Sequence, residues 1–433
     1  MALIYDFLSE DDGLINKTVN GFLPSMAIIP LKYDNQENAE IIVREGETVK
    51  EGQVLSRING YCIHSSIPGT VTEIFETDFA DGKHGTAAKI KFFGSLAFSG
   101  KKLTEINPNS FDSSSLLFLF NEKGVLNTFE KPCSLTNQIK NLDSKSNLFL
   151  VVRLYSDDPS RITEGFLTDN YFEQIKEGAF IIAKAMKSKG IIFAYDLNKS
   201  MPDFSFRDLT IPVEKVGLDA KSYPNGFKHE IAKAVKEQLK FNETSKKFLK
   251  IGNKELYVDC ITALNVYNAV VLNEPSINVN VHVTGDCLNA AGVLKVKAGI
   301  TLRELTKQTG GFKRKLGKIV INGIVTGNSL MNLDIPVSKD VKSVAFIPAD
   351  KKCDQKMQTC IRCGNCNKIC PVGLYPQSLY RYSLNKEKDE YQYTLIKQTS
   401  LLCTECSLCN SVCPSRIPLS QTIGKIKEEL KNE

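Results

Sequence analysis

The chain has 433 residues, too many for one hydrophobic core, so roughly two to four domains are expected. With 42% hydrophobic and 24% charged residues it has the composition of an ordinary soluble globular protein, and no apolar run approaches the ~18–20 residues that cross a bilayer. The formal charge of +6 would suit a nucleic-acid partner, but no basic stripe interleaved with aromatic residues accompanies it, so that class is disfavoured.

The first residues, Met1-Ala2-Leu3-Ile4-Tyr5-Asp6, carry an acid where a signal peptide would be basic, which predicts a cytoplasmic chain. Two short apolar runs, Ala27 to Leu31 and Leu116 to Phe120, read as buried strands. From about 38 to 75 apolar residues recur at strand spacing, with Gly46, Gly52, Gly60 and Gly69 marking turns. This segment resembles the biotinyl/lipoyl type of β barrel-sandwich. The central hairpin, Asn59-Gly60-Tyr61, lacks the lysine that would carry a swinging cofactor, which leaves a structural role.

From about 110 to 272 the pattern becomes α/β. Phe149 to Val152 reads as a buried strand, and a helix is expected from about Asn170 to Lys189. Its apolar face is Phe172, Ile175, Ala179, Ile182 and Met186, with Thr168 or Asp169 capping its start and Gly190 its end. Ile191 to Tyr195 is the next strand, and strand–helix–strand in this span implies a parallel sheet. A further helix is expected from Lys228 to Leu239. Residues 276–348 return to β: Asn278 to Val283 alternates, Gly299 leads into a short helix, and Lys318 to Gly323 is another strand. The mix suggests a small β-grasp domain.

The 13 cysteines are an odd number in a chain without a signal, which favours metal or redox chemistry over a disulfide framework. Cys62, Cys133, Cys260, Cys287 and Cys353 are scattered and read as structural; Cys353, seven residues before the cluster motif, is the weakest of these cases. The other eight form Cys360-x2-Cys363-x2-Cys366-x3-Cys370-Pro371 and Cys403-x2-Cys406-x2-Cys409-x3-Cys413-Pro414. In this motif three cysteines wrap three irons of one cubane and the fourth reaches the other cluster. The ligand sets are then Cys360, Cys363, Cys366 and Cys413 for one [4Fe–4S] cluster, and Cys403, Cys406, Cys409 and Cys370 for the other. Spacing alone does not fix that exchange of the fourth ligand. Zinc would leave thiolates unused, twice over. Residues 351–433 carry 13 Lys and Arg against 8 Asp and Glu. That excess offsets the charge of about −2 that each four-thiolate cluster brings. Between the motifs, Gln377 to Tyr382 and Tyr393 to Lys397 read as helical.

On these residues the whole chain resembles the RnfC family, the C component of the Rnf-type electron transport complex, which is the ion-translocating ferredoxin:NAD oxidoreductase of bacteria. The matching features include Gly46, Val49, Gly52 and Gln53 in the first domain and Tyr223-Pro224-Asn225-Gly226 in the middle. Further on, Val283-Thr284-Gly285, Asn322-Gly323 and above all the cysteines match as well. The resemblance implies a multidomain α+β chain in four parts. Residues 1–105 would be a barrel-sandwich hybrid, and 106–274 an α/β domain like the flavin subunit of complex I. A β-grasp domain would span 275–350, and a helical domain with two [4Fe–4S] clusters 351–433.

The resemblance also implies an electron-transfer role within a membrane-associated complex, with no active site confined to this chain. The subunit would sit peripherally on the cytoplasmic face of the cell membrane, without a transmembrane segment of its own. Its partners would be the other subunits and a redox donor such as ferredoxin or NADH. The family's glycine-rich loop, which brings backbone to the phosphates of FMN and a nicotinamide nucleotide, corresponds here to Asn121 through Pro132, with Gly124 as its one glycine. The family's Glu-Cys-Glu-Pro is Ser156-Asp157-Asp158-Pro159. FMN is therefore a disfavoured cofactor, and Asp157 and Asp158 read as ordinary loop acids. Two other readings stay open: a soluble iron–sulfur flavoprotein reductase like the cobalamin reductases, and a non-catalytic docking subunit that contains clusters.

Overall fold

The structure, a computed structural model, describes residues 19–33, 38–94, 106–142, 148–200, 203–204, 211–252, 254–351, 356–384 and 396–432. Met1 to Asp6, Cys353 and Tyr393 to Leu395 lie outside them. The chain divides into two compact units, Met1–Asp350 and Lys351–Glu433.

In the first unit the N-terminal part is a pair of small sheets. One has the strand order Met26–Tyr33, His84–Phe92, Gly69–Asp78, Thr48–Val49; the other joins Ala39–Ile41, Val54–Ile58 and Tyr61–His64. Leu31, Val49, Leu55, Ile67, Val71 and Ile90 fill the space between them. The Asn59-Gly60 hairpin has φ of 49° and 82°, the left-handed pair that matches the twist of its strands. Gly69 is no turn residue. It opens a strand, where a Cβ would lie 2.1 Å from the carbonyl oxygen of Lys91.

The run Leu116 to Phe120 belongs to a helix, Ser113–Glu122, not to a strand. Asp112 caps it by accepting from the Ser115 N–H at 2.8 Å, and Leu116 and Phe120, one turn apart, are its buried face. Phe118 is exposed, which a strand buried on both faces would not allow.

A four-stranded parallel sheet follows, in the order Val213–Leu218, Ile191–Asp196, Leu150–Arg153, Leu256–Asp259. Alternate residues serve opposite faces. Leu150, Val152, Phe193 and Val258 pack against the helices Ser113–Glu122, Thr163–Ala185 and Cys260–Val270. Val151, Ile192, Val216 and Tyr257 pack against Lys228–Gln238. The long helix begins at Thr163 rather than near Asn170, and the expected cap falls inside it. Its backbone leaves helical geometry at Tyr171 (φ −133°), so the periodicity past that residue reads as a fresh start. The helix ends before Lys187, which takes a left-handed φ of 54° ahead of Gly190.

A six-stranded mixed sheet completes this unit, in the order Val19–Asn20, Gly292–Lys297, Asn278–Thr284, Ser343–Pro348, Leu316–Ile321, Asn328–Leu330. The helix Leu302–Gln308, capped by Thr301, packs on it through Leu302 and Leu305.

In the second unit two cysteine loops each lead into a short helix, Asn365–Ile369 or Leu408–Ser411, and then into a longer one, Pro376–Leu384 or Leu419–Asn432. Leu379, Ile423 and Ile426 join the two longer helices.

Candidate functional site

All eight motif cysteines lie in the second unit, and their loops share one backbone. Arg362 and Glu405, the residues before the second cysteine of each motif, have φ of 55° and 58°; Gly364 and Ser407, the residues after it, have 76° and 58°. Three of these four are not glycine, so the left-handed turns are held against an intrinsic preference. Left-handed turns aim successive N–H groups inward, as an anionic group requires. Two such donors already point at sulfur. The Glu405 N–H lies 3.4 Å from Cys403 Sγ and the Leu374 N–H 3.3 Å from Cys370 Sγ.

The chain brings cysteines of different motifs together. Burial, and then the charges of Cys406, Cys403 and Cys370, push the Cys409 thiol up to about 12. Cys406 is raised too, by burial first and by Cys370 among its neighbours. At the other end Cys360, Cys366 and Cys413 pack in one cluster with Cys409, Ile417 and Leu419. The Gln358 N–H donates to the Ser415 carbonyl at 2.9 Å, and Ser415 Oγ to the Thr359 carbonyl at 2.8 Å, which fastens the start of the first motif beside the end of the second. Four thiolates drawn together repel one another unless cations stand between them. Among the described residues no three Cys, His, Asp or Glu side chains converge on a single ion. The doubled C-x2-C-x2-C-x3-C spacing suits four-iron clusters and would leave thiolates that zinc does not use.

The first unit gathers a different set of charges where the parallel sheet's strand order reverses, between Leu150–Arg153 and Leu256–Asp259. In open α/β sheets ligands bind outside that point. Arg153, the last residue of its strand, is 1% exposed and fully engaged. Its guanidinium donates to the carbonyls of Tyr155 (3.1 Å) and Gly226 (2.6 Å) and to Asp157 (3.2 Å), and lies 4.2 Å from the centre of the Phe129 ring. Arg161 pairs with Asp157 and Glu164. Lys342, from the start of the mixed sheet's strand Ser343–Pro348, reaches Asp259 at 2.6 Å and Glu164 at 3.3 Å.

Burial opposes the charge on Asp157, but Arg153 and Arg161 outweigh it and hold the carboxyl below its usual range. For Asp259 burial is likewise overcome, here by Lys342 and the Thr262 hydrogen bonds, and its pKa falls to about 2.

Asp157 and Asp158 are thus not ordinary loop acids. Asp158 is fully buried and accepts from the N–H groups of Ser160 (2.9 Å), Val325 (3.0 Å) and Thr326 (3.1 Å). The sequence reading also missed Arg153, Arg161, Glu164, Asp259 and Lys342. The available signal was a lone arginine ending the apolar run Leu150-Val151-Val152.

The loop from Asn121 to Pro132 uses its own donors. The Thr128 N–H goes to Thr262 Oγ1 (3.0 Å), the Phe129 N–H to Asn127 Oδ1 (3.1 Å) and the Val125 N–H to the Phe120 carbonyl (2.9 Å). The helix Cys260–Val270, whose N-terminus faces this loop, is capped by the Asp259 carboxylate, which accepts from Thr262 N–H at 2.8 Å. A phosphate would meet a negative charge there, and a ring would meet Phe129 and Arg153. These residues do not fit FMN. A cavity of about 270 Å³ lies farther along the same sheet end, lined by Ser156, Asp169, Tyr195, Asp196, Lys199 and Lys221 among others.

Among the described residues no helix is long and apolar enough to cross a membrane. Residues 16–92 match the RnfC barrel sandwich hybrid domain and residues 355–417 a 4Fe-4S dicluster domain. The C component of the ion-translocating oxidoreductase complex of Pectobacterium carotovorum is 27% identical over 387 residues, 85% of this chain and 49% of the relative. The component of the same name from Rhodobacter capsulatus is 25% identical over 378 residues, 82% and 69% respectively. The chain spans about half the length of the Pectobacterium relatives it matches, 49% of one and 53% of another. It is also similar to a chain of an NAD+-reducing [NiFe]-hydrogenase, at 10% identity, TM-score 0.47 and coverage of 76% and 62%. With a barrel-sandwich hybrid domain at one end, a four-iron dicluster domain at the other and alignments across most of its length, this chain resembles the RnfC component of the Rnf-type ion-translocating oxidoreductase complex.

Proposed function

We propose that the chain is a peripheral electron-transfer subunit of a membrane-associated Rnf-type complex, seated on its cytoplasmic face, and that single electrons pass through two [4Fe–4S] clusters in its C-terminal unit. One cluster is assigned to Cys360, Cys363, Cys366 and Cys413, the other to Cys403, Cys406, Cys409 and Cys370. The observation that carries this reading is the setting of Cys370 against Cys406 and Cys409, across the motif boundary. When bound, the clusters supply one-electron redox chemistry. The chain's residues hold the sulfurs by N–H donors at Glu405 and Leu374, keep the two ligand sets adjacent, and offset the added negative charge with a basic surround.

The domain limits 1–105, 106–274, 275–350 and 351–433 belong to the same reading, with 275–350 as a β-grasp domain. So do the partners, namely the other subunits and a donor such as ferredoxin or NADH. Residues 106–274 serve as a scaffold; this is supported by the single glycine in Asn121 to Pro132 and by Asp259 capping the helix that faces this loop. The reductase alternative is weaker for that reason. The test is anaerobic purification with assays for iron, acid-labile sulfide and released flavin. About eight irons and no flavin per chain are expected. About four irons would overturn the two-cluster assignment, and one FMN per chain would overturn the scaffold reading.

A further inference from the structure

The two cysteine loops share a backbone but not an environment. In the second, Lys427 of the helix Leu419–Asn432 donates to the Cys403 carbonyl at 2.7 Å and to Glu405 at 3.1 Å, so that helix lies over the loop. Cys406 is 8% exposed. In the first loop the corresponding cysteine, Cys363, is exposed, and so are Ile361, Arg362 and Asn365 beside it. Ile361 is 67% exposed, while its counterpart Thr404 is half-buried.

The open loop is apolar and basic together. Met357, Ile361 and Ile369 present hydrocarbon to water. Lys356, Arg362 and Lys368 are exposed among them. From Lys356 to Leu384 the sequence contains four basic residues and no acid. Exposed hydrocarbon interspersed along one short segment with charge of one sign suits a transient protein interface, in which charge steers encounter and a small apolar centre excludes water.

We infer that the first motif's loop is the docking surface for an acidic electron-carrier protein, and that electrons enter or leave this chain at the cluster assigned to Cys360, Cys363, Cys366 and Cys413. This rests on the two-cluster reading above. The second loop, which exposes Leu401 and Leu402 but is crossed by the terminal helix at Cys403 and Glu405, exchanges electrons through the first. The transfer balances as one electron: one centre of the carrier is oxidised and one cluster of this chain reduced, or the reverse, with no bond made. An anionic membrane would also answer basic and apolar side chains, but it offers no redox centre to the exposed thiolate position at Cys363.

The test uses the full chain, purified anaerobically, and a small acidic two-iron ferredoxin as the probe. Stopped-flow reduction is compared for the wild type, R362E/K368E and a control reversal on the terminal helix, K425E. The double variant should slow transfer about tenfold at low ionic strength and flatten its salt dependence. Iron content and reduction by dithionite should be unchanged, and K425E should behave as wild type. An unchanged rate in R362E/K368E, an equal loss in K425E, or no transfer from the acidic probe to the wild type would overturn the inference. So would loss of anionic-vesicle binding in R362E/K368E at an unchanged transfer rate, which would make the surface a lipid contact. A chain that takes up no iron would instead sink the cluster reading itself, which the iron assay shows before any kinetics.

Discussion

At the carboxyl end of the parallel sheet Asp157, Glu164 and Asp259 meet Arg153, Arg161 and Lys342. In the C-terminal unit Cys370, Cys403 and Cys406 lie near enough to Cys409 for their charges to raise its thiol. The first region balances buried charge with charge of its own. The second gathers cysteines whose thiols are held protonated by burial and by one another, so their ionisation waits on something bound. A site built to hold a cofactor is visible as an imbalance, and a site that has been filled is visible as a balance.

The largest effect expected from breaking this contrast is at a thiol. Cys366→Ala should cut iron and sulfide to about half and abolish transfer through the chain. Unchanged iron would remove Cys366 from the ligand set.

Next comes a buried cation. Arg153→Met leaves Asp157 buried with one partner fewer and should destabilise the first unit by about 3–5 kcal/mol. The urea midpoint of near-ultraviolet circular dichroism reads this, and the iron content should not move. A shift within error would mean that the network is not balanced through Arg153.

A smaller effect is the pH dependence of that balance. Asp259 has its carboxyl lowered in the fold from 3.8 to about 2, so its contribution is whole above about pH 4 and is lost as pH falls toward 2. Asp157 and Glu164 are shifted in the same direction. The urea midpoint should therefore hold from pH 7 to 5 and fall steeply below about 4. In Lys342→Met the acid limb should be shallower. A midpoint that falls equally in both proteins would point to other carboxylates.

The smallest expected effect is none. Excess FMN should leave the thermal midpoint of the first unit unchanged, because nothing gains by its binding. A raised midpoint would show that Phe129 and Arg153 move aside.

The legibility of these regions in sequence follows from how local their causes are. The cysteine motif is a local pattern, and the left-handed residues Arg362, Glu405 and Ser407 show only in the backbone. The strands Leu150–Arg153 and Ile191–Asp196 were readable because each is a short run of apolar residues buried on both faces. Leu116 to Phe120 misled because a short apolar run has no period of its own. Its cap, Asp112, lies outside the run and decides the matter. The kink at Tyr171 hid the first turns of the long helix. The buried ion network was illegible because its members come from residues 153, 157, 161, 164, 259 and 342, and only the topology of two sheets brings them together.

Lys342 has a consequence for how this chain can be divided. It stands in the mixed sheet but neutralises two carboxylates of the parallel one, and Asp158 returns the link by accepting from Val325 and Thr326. The strand Val19–Asn20 crosses the same way, pairing with Leu294 and Lys295. A fragment ending at residue 274 would leave Asp259 and Glu164 buried without their lysine, and one starting at 106 would strip an edge from the mixed sheet. The seam after Asp350 severs none of these links. A boundary placed after Asp350 therefore keeps these links whole, whereas one at 106 or 274 cuts them.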